Sequence, residues 1–574
     1  MAYQNLGDSS ISLPSDFNLV PKSTAPASTS RRVNVLPLSG GSFNPLDVAK
    51  FEIPTGIDGQ YLDTTQTYLL FKVKNSDPAA FPMYPDHSAA SFISKIEVYS
   101  SSQLVETINS YNVLYSSLVD AQMSGNDRQA FMSITHGTDL DAVTDTVNFS
   151  RGGQLMLAGQ TYQFAVPLIS GIVGTNLNKM LPIGCLTDLR VEITWESSAQ
   201  AVITATTTGV STNIWSITAA ELVLQVITLN REVHDQIIGQ HGSDAIMISS
   251  ESYRNYNTVL NASNGSDNVI LPLKFTSAKS LLNCYRLNNN LNTYQNACIT
   301  SRRNPFASAG SVVPSVFWLL GNVYAPAVPL RSVPEIYSEF TKSLHTLGNV
   351  NNKTVMNRQT YDQANEPTWT DSITSTSIAI NGNAITALAN TTGVFTCTST
   401  AGFQVGQPIY FIGTGSGLLA SVAAPSWGGT TTSATIPVYG YVTGSGTNAT
   451  YTNPVVYYVA SITGKTTFTI AANPYGFSSF AATTGQGTIT GLYVVQKDYY
   501  VQQTPSFLMG LNLDVMYQAS NNSFSGINTN SGNVFLNTTY SAATPSGGQR
   551  FDCWAHYDFL IMIDPRSKQM SIRI

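Results

Sequence analysis

Hydrophobic positions along this chain recur with a period of two. Leu69, Phe71 and Val73 face one way while Lys72 and Lys74 face the other. Leu189, Val191, Ile193 and Trp195 alternate with Arg190, Glu192, Thr194 and Glu196, and Met570, Ile572 and Ile574 alternate with Gln569, Ser571 and Arg573. Alternation in short segments broken by Gly, Pro, Asn and Asp predicts strands in sheets with one buried face. Helical spacing is confined to three places. Tyr111, Leu114, Tyr115, Leu118 and Val119 form one apolar stripe on a helix expected over 110–122. A second helix is expected from near Pro334, a residue suited to a first turn. Its Glu335 and Glu339 come early and Lys342 and His345 late, as the helix dipole favours, with Ile336, Phe340 and Leu344 four apart. A third, over 231–242, follows the strand-like ELVLQVITLN and precedes AIMISSESYRNYNTVL, which places a boundary between two β domains near residue 232.

The expected organisation is therefore a flexible N-terminal arm over 1–32, rich in Ser, Pro, Ala and Thr and ending at Arg31-Arg32, then a first β domain over 33–232 and a second over 233–574. The second is interrupted. The 125 residues from 372 to 496 hold a single charged side chain, Lys465, whereas the whole chain has 28 Lys and Arg and 34 Asp and Glu. Within this insertion GVFTCTSTAGFQVGQPIYFIGTGSG and NPVVYYVASITGKTTFTI read as successive β-hairpins. Their aromatic and β-branched content favours a folded module over a disordered loop.

A length of 574 residues exceeds one compact core, and 43% hydrophobic residues suffice to bury several. Charged residues make up only 11%, against roughly 25% in ordinary soluble proteins. A surface of Ser, Thr, Asn, Gln and Tyr repels its own copies weakly, which suits close packing among them. The net charge of -6 provides no basic field for nucleic acid, so no sequence-specific nucleic-acid binding is expected. The first residues, MAYQNLGDSS, lack the basic and apolar regions of a signal peptide, and no run approaches a membrane span. Five scattered cysteines, Cys185, Cys284, Cys298, Cys397 and Cys553, without a CxxC pair, read as reduced thiols made in a cytosol.

Catalytic patterns are missing. Gly464-Lys465-Thr466 ends like a phosphate-binding loop, but the required earlier glycine is Val459 and strand pattern lies on both sides, so a hairpin turn is expected. GTGSGLL at 413–419 is a lone glycine-rich turn. Of the six histidines, His87, His136, His234, His241, His345 and His556, only His234 and His241 share a helix, without a third ligand nearby. Asp552 with Asp558 and Glu335 with Glu339 read as solvated turn or helix faces. No catalytic residue, metal site or cofactor is expected.

Six segments carry a resemblance. FNPLDVAKFEIPTG (43–56), DGQYLDTTQTYLLFKVKN (58–75) and FISKIEVYSSSQLVETINSYNVLYSSL (92–118) lie in the first half. SFLMGLNLDV (506–515), FSGINTNSGNVFLNTTY (524–540) and DCWAHYDFLIMID (552–564) close the second. In this order and spacing the chain resembles double jelly-roll major capsid proteins, particularly those of virophages and polinton-like viruses. The resemblance spans 33–370 and 497–574 and leaves out the insertion. It implies an all-β fold of two consecutive jelly-roll sandwiches with a few short helices. It also implies a non-enzymatic shell subunit of a double-stranded DNA virus, whose homotrimers form pseudo-hexagonal capsomers that tile an icosahedral capsid. The implied partners are neighbouring capsomers, a penton protein and minor capsid proteins, in a virion assembled from protein made in the host cytosol or virus factory. The arm would lie on the inner side. The insertion would sit on the outer surface, decorating or clasping the trimer or binding a host receptor or glycan. A phage-type fibre or host-binding adhesin is the alternative that the composition allows, although such chains show repeats along their length and residues 33–370 show none. A carbohydrate-active β-sandwich enzyme would need convergent carboxylates in an aromatic cleft.

Overall fold

The computed structural model describes residues 28–76, 83–124, 131–137, 156–177, 179–204, 214–241, 245–261, 265–288, 298–299, 301–307, 312–344, 354, 356, 361–362, 506–514, 524–541 and 548–574. Within 385–494 it describes a set of short strands and their turns. In the first half the eight principal strands are Ser28–Val35, Val48–Glu52, Gln60–Asn75, Ile93–Ser100, Gln103–Asn109, Thr161–Pro167, Arg190–Trp195 and Trp215–Leu229. Counted in that order they form two antiparallel sheets, one-eight-three-six and two-seven-four-five. The second half repeats the wiring. Its strands are Ile246–Leu260, Ser266–Leu271, Ala278–Leu287, Ser315–Leu320, Val323–Leu330, Met509–Asn512, Val534–Thr539 and Gln549–Asp564, again paired one-eight-three-six and two-seven-four-five. Each half is a jelly roll, and a last strand, Gln569–Arg573, folds back on the eighth strand of the second. The helix Arg231–His241 spans the boundary expected near 232.

The period-two pattern explains these strands. Leu69, Phe71 and Val73 are buried while Lys72 and Lys74 are exposed, and Val191, Ile193 and Trp195 point into the same core. Met570 is buried, but Ile572 and Ile574 are only partly so, because the closing strand has a neighbour on one side alone. In the first roll the Phe71 ring centroid lies 5.3 Å from that of Trp195, and Phe92 lies 5.0 Å from Trp215. In the second, Tyr285 lies 5.2 Å from Phe551 and Phe507 lies 5.0 Å from Tyr361. All five cysteines are buried, and none is in a disulfide.

Three expectations need correction. The arm expected over 1–32 is already a strand from Ser28: Ser28 pairs with Leu229 and Arg32 with Gln225, so Arg31 and Arg32 belong to the first sheet. Residues 1–27 lie outside the described residues. The helix Tyr111–Gln122 is buried along nearly its whole length, Asn112, Ser116, Ser117 and Asp120 included, not on one stripe alone. Its polar face meets the second half of the chain, a contact that helical periodicity cannot register. In the insertion Phe395–Cys397 and Pro408–Thr414 do not form a hairpin: they pair with different strands of a six-stranded sheet. Tyr457–Gly464 and Thr467–Ala471 do form one, with Gly464 opposite Thr467. Phe395, Val459, Phe468 and Ile470 are buried there, and the Phe395 and Phe468 rings stack at 5.5 Å.

Wiring fixes where the insertion goes. In a one-eight-three-six sheet of antiparallel neighbours, the connections one-to-two, three-to-four, five-to-six and seven-to-eight gather at one end of the roll. Residues 372–496 lie between the fifth strand, Val323–Leu330, and the sixth, Met509–Asn512, hence in a connection of that end. The start of strand one and the finish of strand eight lie at the other.

Candidate assembly interface

A helix follows the fifth strand in both rolls. After Gln103–Asn109 comes Tyr111–Gln122; after Val323–Leu330 comes Val333–Ser343. The latter begins as its sequence dictates. The Ser332 hydroxyl accepts from the Glu335 amide at 3.4 Å, the Glu335 carboxylate accepts from the Arg331 amide at 2.6 Å, and Ile336 and Phe340 face the core. Glu339 pairs with Lys342 one turn on. Glu335 and Glu339 thus serve the helix; His345 lies outside the described residues.

The helix Tyr111–Gln122 and the strand before it form the first roll's side of a buried seam. At one end of the rolls Arg302, in the three-to-four connection of the second roll, donates to Asp120 at 2.6 Å, and Asp120 also lies 2.8 Å from Nε2 of His87. Arg286 holds Asp552 through Nε and Nη2 at 2.9 and 2.6 Å, and Ser110 donates to the same carboxylate at 3.3 Å. Trp554 Nε1 donates across the seam to the Asn109 carbonyl at 3.2 Å. Midway, Glu106 is buried and accepts from Ser170, from Ser252 of the second roll, and from the Gly171 amide at 2.8 Å. Ser250 returns a bond to the Gly171 carbonyl at 2.6 Å. At the far end Thr187 donates its amide to the Lys568 carbonyl at 3.1 Å, and Lys568 Nζ approaches Asp58 at 3.5 Å.

These contacts join like end to like end, so the two rolls stand side by side and the same way up. Their charge is confined. Burial raises the Glu106 carboxyl above its ordinary value, against the hydrogen bonds from Ser170, Ser252 and Gly171 that pull it down. Burial opposes the charge of Arg286, yet Asp552 holds its guanidinium above the ordinary value. The buried pair that crosses between the rolls is Arg302 with Asp120; such a pair adds little net stability, but losing one partner costs about 3–5 kcal/mol, so it favours one relative placement of the rolls.

Sequence reading missed this site. Asp552 and Asp558 are not solvated: Asp552 is fully buried against Arg286, and Asp558 accepts from Ser277 at 2.6 Å. They stand six residues apart on one strand, too far to work as a pair. His234 lies with Nδ1 3.0 Å from the Tyr61 hydroxyl, a bond that ties the linking helix to the first roll; the His241 side chain is outside the described residues. Lys465 and Thr466 form the turn of a hairpin, with Thr400 donating its amide to the Lys465 carbonyl at 2.8 Å. Among the described residues no three His, Cys, Asp or Glu side chains group as metal ligands would, and no helix is long and apolar enough to cross a membrane.

Opposite the seam lie two edges that no other part of the described chain covers. The fifth strand of the second roll exposes Val323, Tyr324 and Val328 at 65%, 58% and 68%, and the residues that follow the first strand of the first roll expose Leu36 and Leu38 at 67% and 64%.

Two jelly rolls of one wiring, parallel and joined by a buried polar seam, define a double jelly-roll protein. The structure is similar to PBCV-1 VP54 as fitted into a reconstruction of the virophage Sputnik, at 11% identity over 96% of this chain and 98% of that one, with a TM-score of 0.44. It is likewise similar to the Faustovirus major capsid protein (10% identity, 94% and 91% of the two chains, TM-score 0.42) and the mavirus major capsid protein (9%, 99% and 96%, TM-score 0.42). No protein-family model and no curated protein sequence matches the chain.

Proposed function

We propose that this chain is the major capsid protein of a virus, a structural subunit whose trimers form pseudo-hexagonal capsomers. The observation that carries the reading is the locked parallel pair of rolls. A seam at both ends and in the middle makes one rigid tile with two rolls upright, and three such tiles supply six rolls around an axis. The sparse charge suits a protein that packs against its own copies, since little repulsion has to be overcome. The insertion, in a connection at the end opposite the one where the strand Ser28–Val35 starts, faces outward in this arrangement, which puts Ser28 at the inner end. Neighbouring capsomers, a penton protein and minor capsid proteins are the partners of such a tile. The insertion decorates or clasps the trimer top; its uncharged Thr- and Tyr-rich composition also suits a host glycan.

Size-exclusion chromatography with light scattering on the purified chain tests this. Three times the 61.7 kDa of one chain is expected. A monomer at all concentrations, or an elongated fibre, contradicts it.

A further inference from the structure

We propose that Lys279 and Asp558 of the second roll condense with one another, forming an isopeptide bond that staples its third strand to its eighth. The bond locks the roll covalently and does not depend on the capsid reading.

Strand pairing brings the reacting groups together. On the third strand, Ala278 faces Tyr557 and Ser280 faces His556, so Lys279 is the extra residue of a bulge. Bulges re-aim side chains, and that of Lys279 is only 13% exposed. Its Nζ lies 3.9 Å from Oδ1 of Asp558 on the eighth strand. It also donates to Oε1 of Glu251, which stands directly opposite Asp558 on the first strand. Behind Glu251, His556 brings Nε2 to 2.9 Å from Oε2, and the His556 ring is held by stacking on Tyr253 with centroids 4.6 Å apart.

An ion pair alone does not call for the rest of the arrangement. Asp558 turns Oδ2 to the Ser277 hydroxyl at 2.6 Å and the Ser525 amide at 3.4 Å, and presents Oδ1 to the lysine. The Ser277 hydroxyl is itself placed by the Gly526 amide, 3.0 Å away. Two donors on one oxygen suit an addition to the carboxyl carbon, because that oxygen gains charge as the amine adds. Burial raises the Asp558 carboxyl above its ordinary value, against the Ser277 bond and the Lys279 charge that pull it down. The acid form that an amine attacks is therefore accessible.

The steps balance without a further reactant. Glu251 takes a proton from the Lys279 ammonium and passes it to Oδ1 of Asp558. The freed amine attacks Cγ, a C–N bond forms, and the charge gathers on Oδ2. A second proton passes from nitrogen through Glu251 to Oδ1, the C–Oδ1 bond breaks, and one water leaves. Ammonium and carboxylate have become a neutral amide whose carbonyl oxygen is Oδ2. Against its burial, His556 and Lys279 hold Glu251 down to about 2. Such a carboxylate takes protons reluctantly, so the bond forms slowly, after the roll has folded.

Tryptic digestion of the purified full-length chain, read by mass spectrometry, tests this. Peptides 275–286 and 551–566 should appear as one branched species, lighter than their sum by one water and uncleaved at Lys279. Lys279→Arg and Asp558→Ala should each abolish it. Asp558→Asn should give the same branched species, with ammonia leaving in place of water. Glu251→Gln should cut its yield at least tenfold after equal incubation. If wild type kept for days at neutral pH yields only the separate peptides 275–279, 280–286 and 551–566, Lys279 and Asp558 are an ion pair and nothing more. A branched species that survives Lys279→Arg likewise overturns the assignment. Should a variant fail to fold, the wild-type digest decides by itself.

Discussion

Glu106 shows how much of this protein's chemistry depends on distance in sequence. Its donors Ser170, Gly171 and Ser252 lie 64, 65 and 146 residues away, so nothing local marks the glutamate as buried. Asp552 is the same case, since Arg286, which neutralises it, lies 266 residues earlier. Burial raises the Glu106 carboxyl above its ordinary 4.5, so between the unfolded and folded values the folded chain binds the proton more tightly. Its contribution to stability is therefore fully present below about 4.5 and lost as pH rises through the folded value. His136 acts in the opposite sense. Burial first, and His87 second, lower it to about 4, so its contribution is present above 6.5 and lost as pH falls towards 4. Comparing a variant with wild type cancels the histidine. Glu106→Gln should melt at or above wild type at neutral pH and show a flatter pH dependence. Glu106→Ala should melt well below it, because each buried donor left unsatisfied costs about 1–3 kcal/mol. If the glutamine variant is as unstable as the alanine one, the seam requires the charge and this reading of Glu106 is wrong.

Elements were more legible than residues. Alternation along 69–74 and 189–196 identified strands because there one face meets a core and the other does not. The same rule understated the helix Tyr111–Gln122, whose Ser117 and Asp120 face Arg302 of the other roll. It also hid Gly171, which looks like any loop glycine. A Cβ there would stand 2.4 Å from the Glu251 carbonyl oxygen and 2.6 Å from the Phe559 ring, so glycine is what lets the six-to-seven connection of the first roll touch the second. Gly171→Ala should force the rolls apart. Overpacking of this kind costs about 1–3 kcal/mol, read as a lower melting temperature, with calorimetry splitting one transition towards two. An unchanged single transition would mean that the seam gives way easily and does not set the placement of the rolls.

At the scale of the whole molecule, the ordered segments that carry the resemblance implied two rolls side by side, but not the contacts that hold them so, such as Thr187 with Lys568 and Ser110 with Asp552, which join residues far apart in sequence. The abrupt loss of charge marked the insertion, and strand wiring then assigns its connection to one end of the second roll. In the proposed capsomer an insertion along the sides of the rolls would obstruct contact between subunits. The capsid reading, the parallel rolls and the outward insertion all bear on one image. Cryo-electron microscopy of the purified assembly should show six upright rolls around a threefold axis, with density for residues 372–496 projecting from one end only and the strand Ser28–Val35 entering from the other. Rolls in opposed orientations, or insertion density between neighbouring subunits at mid-height, would contradict the account.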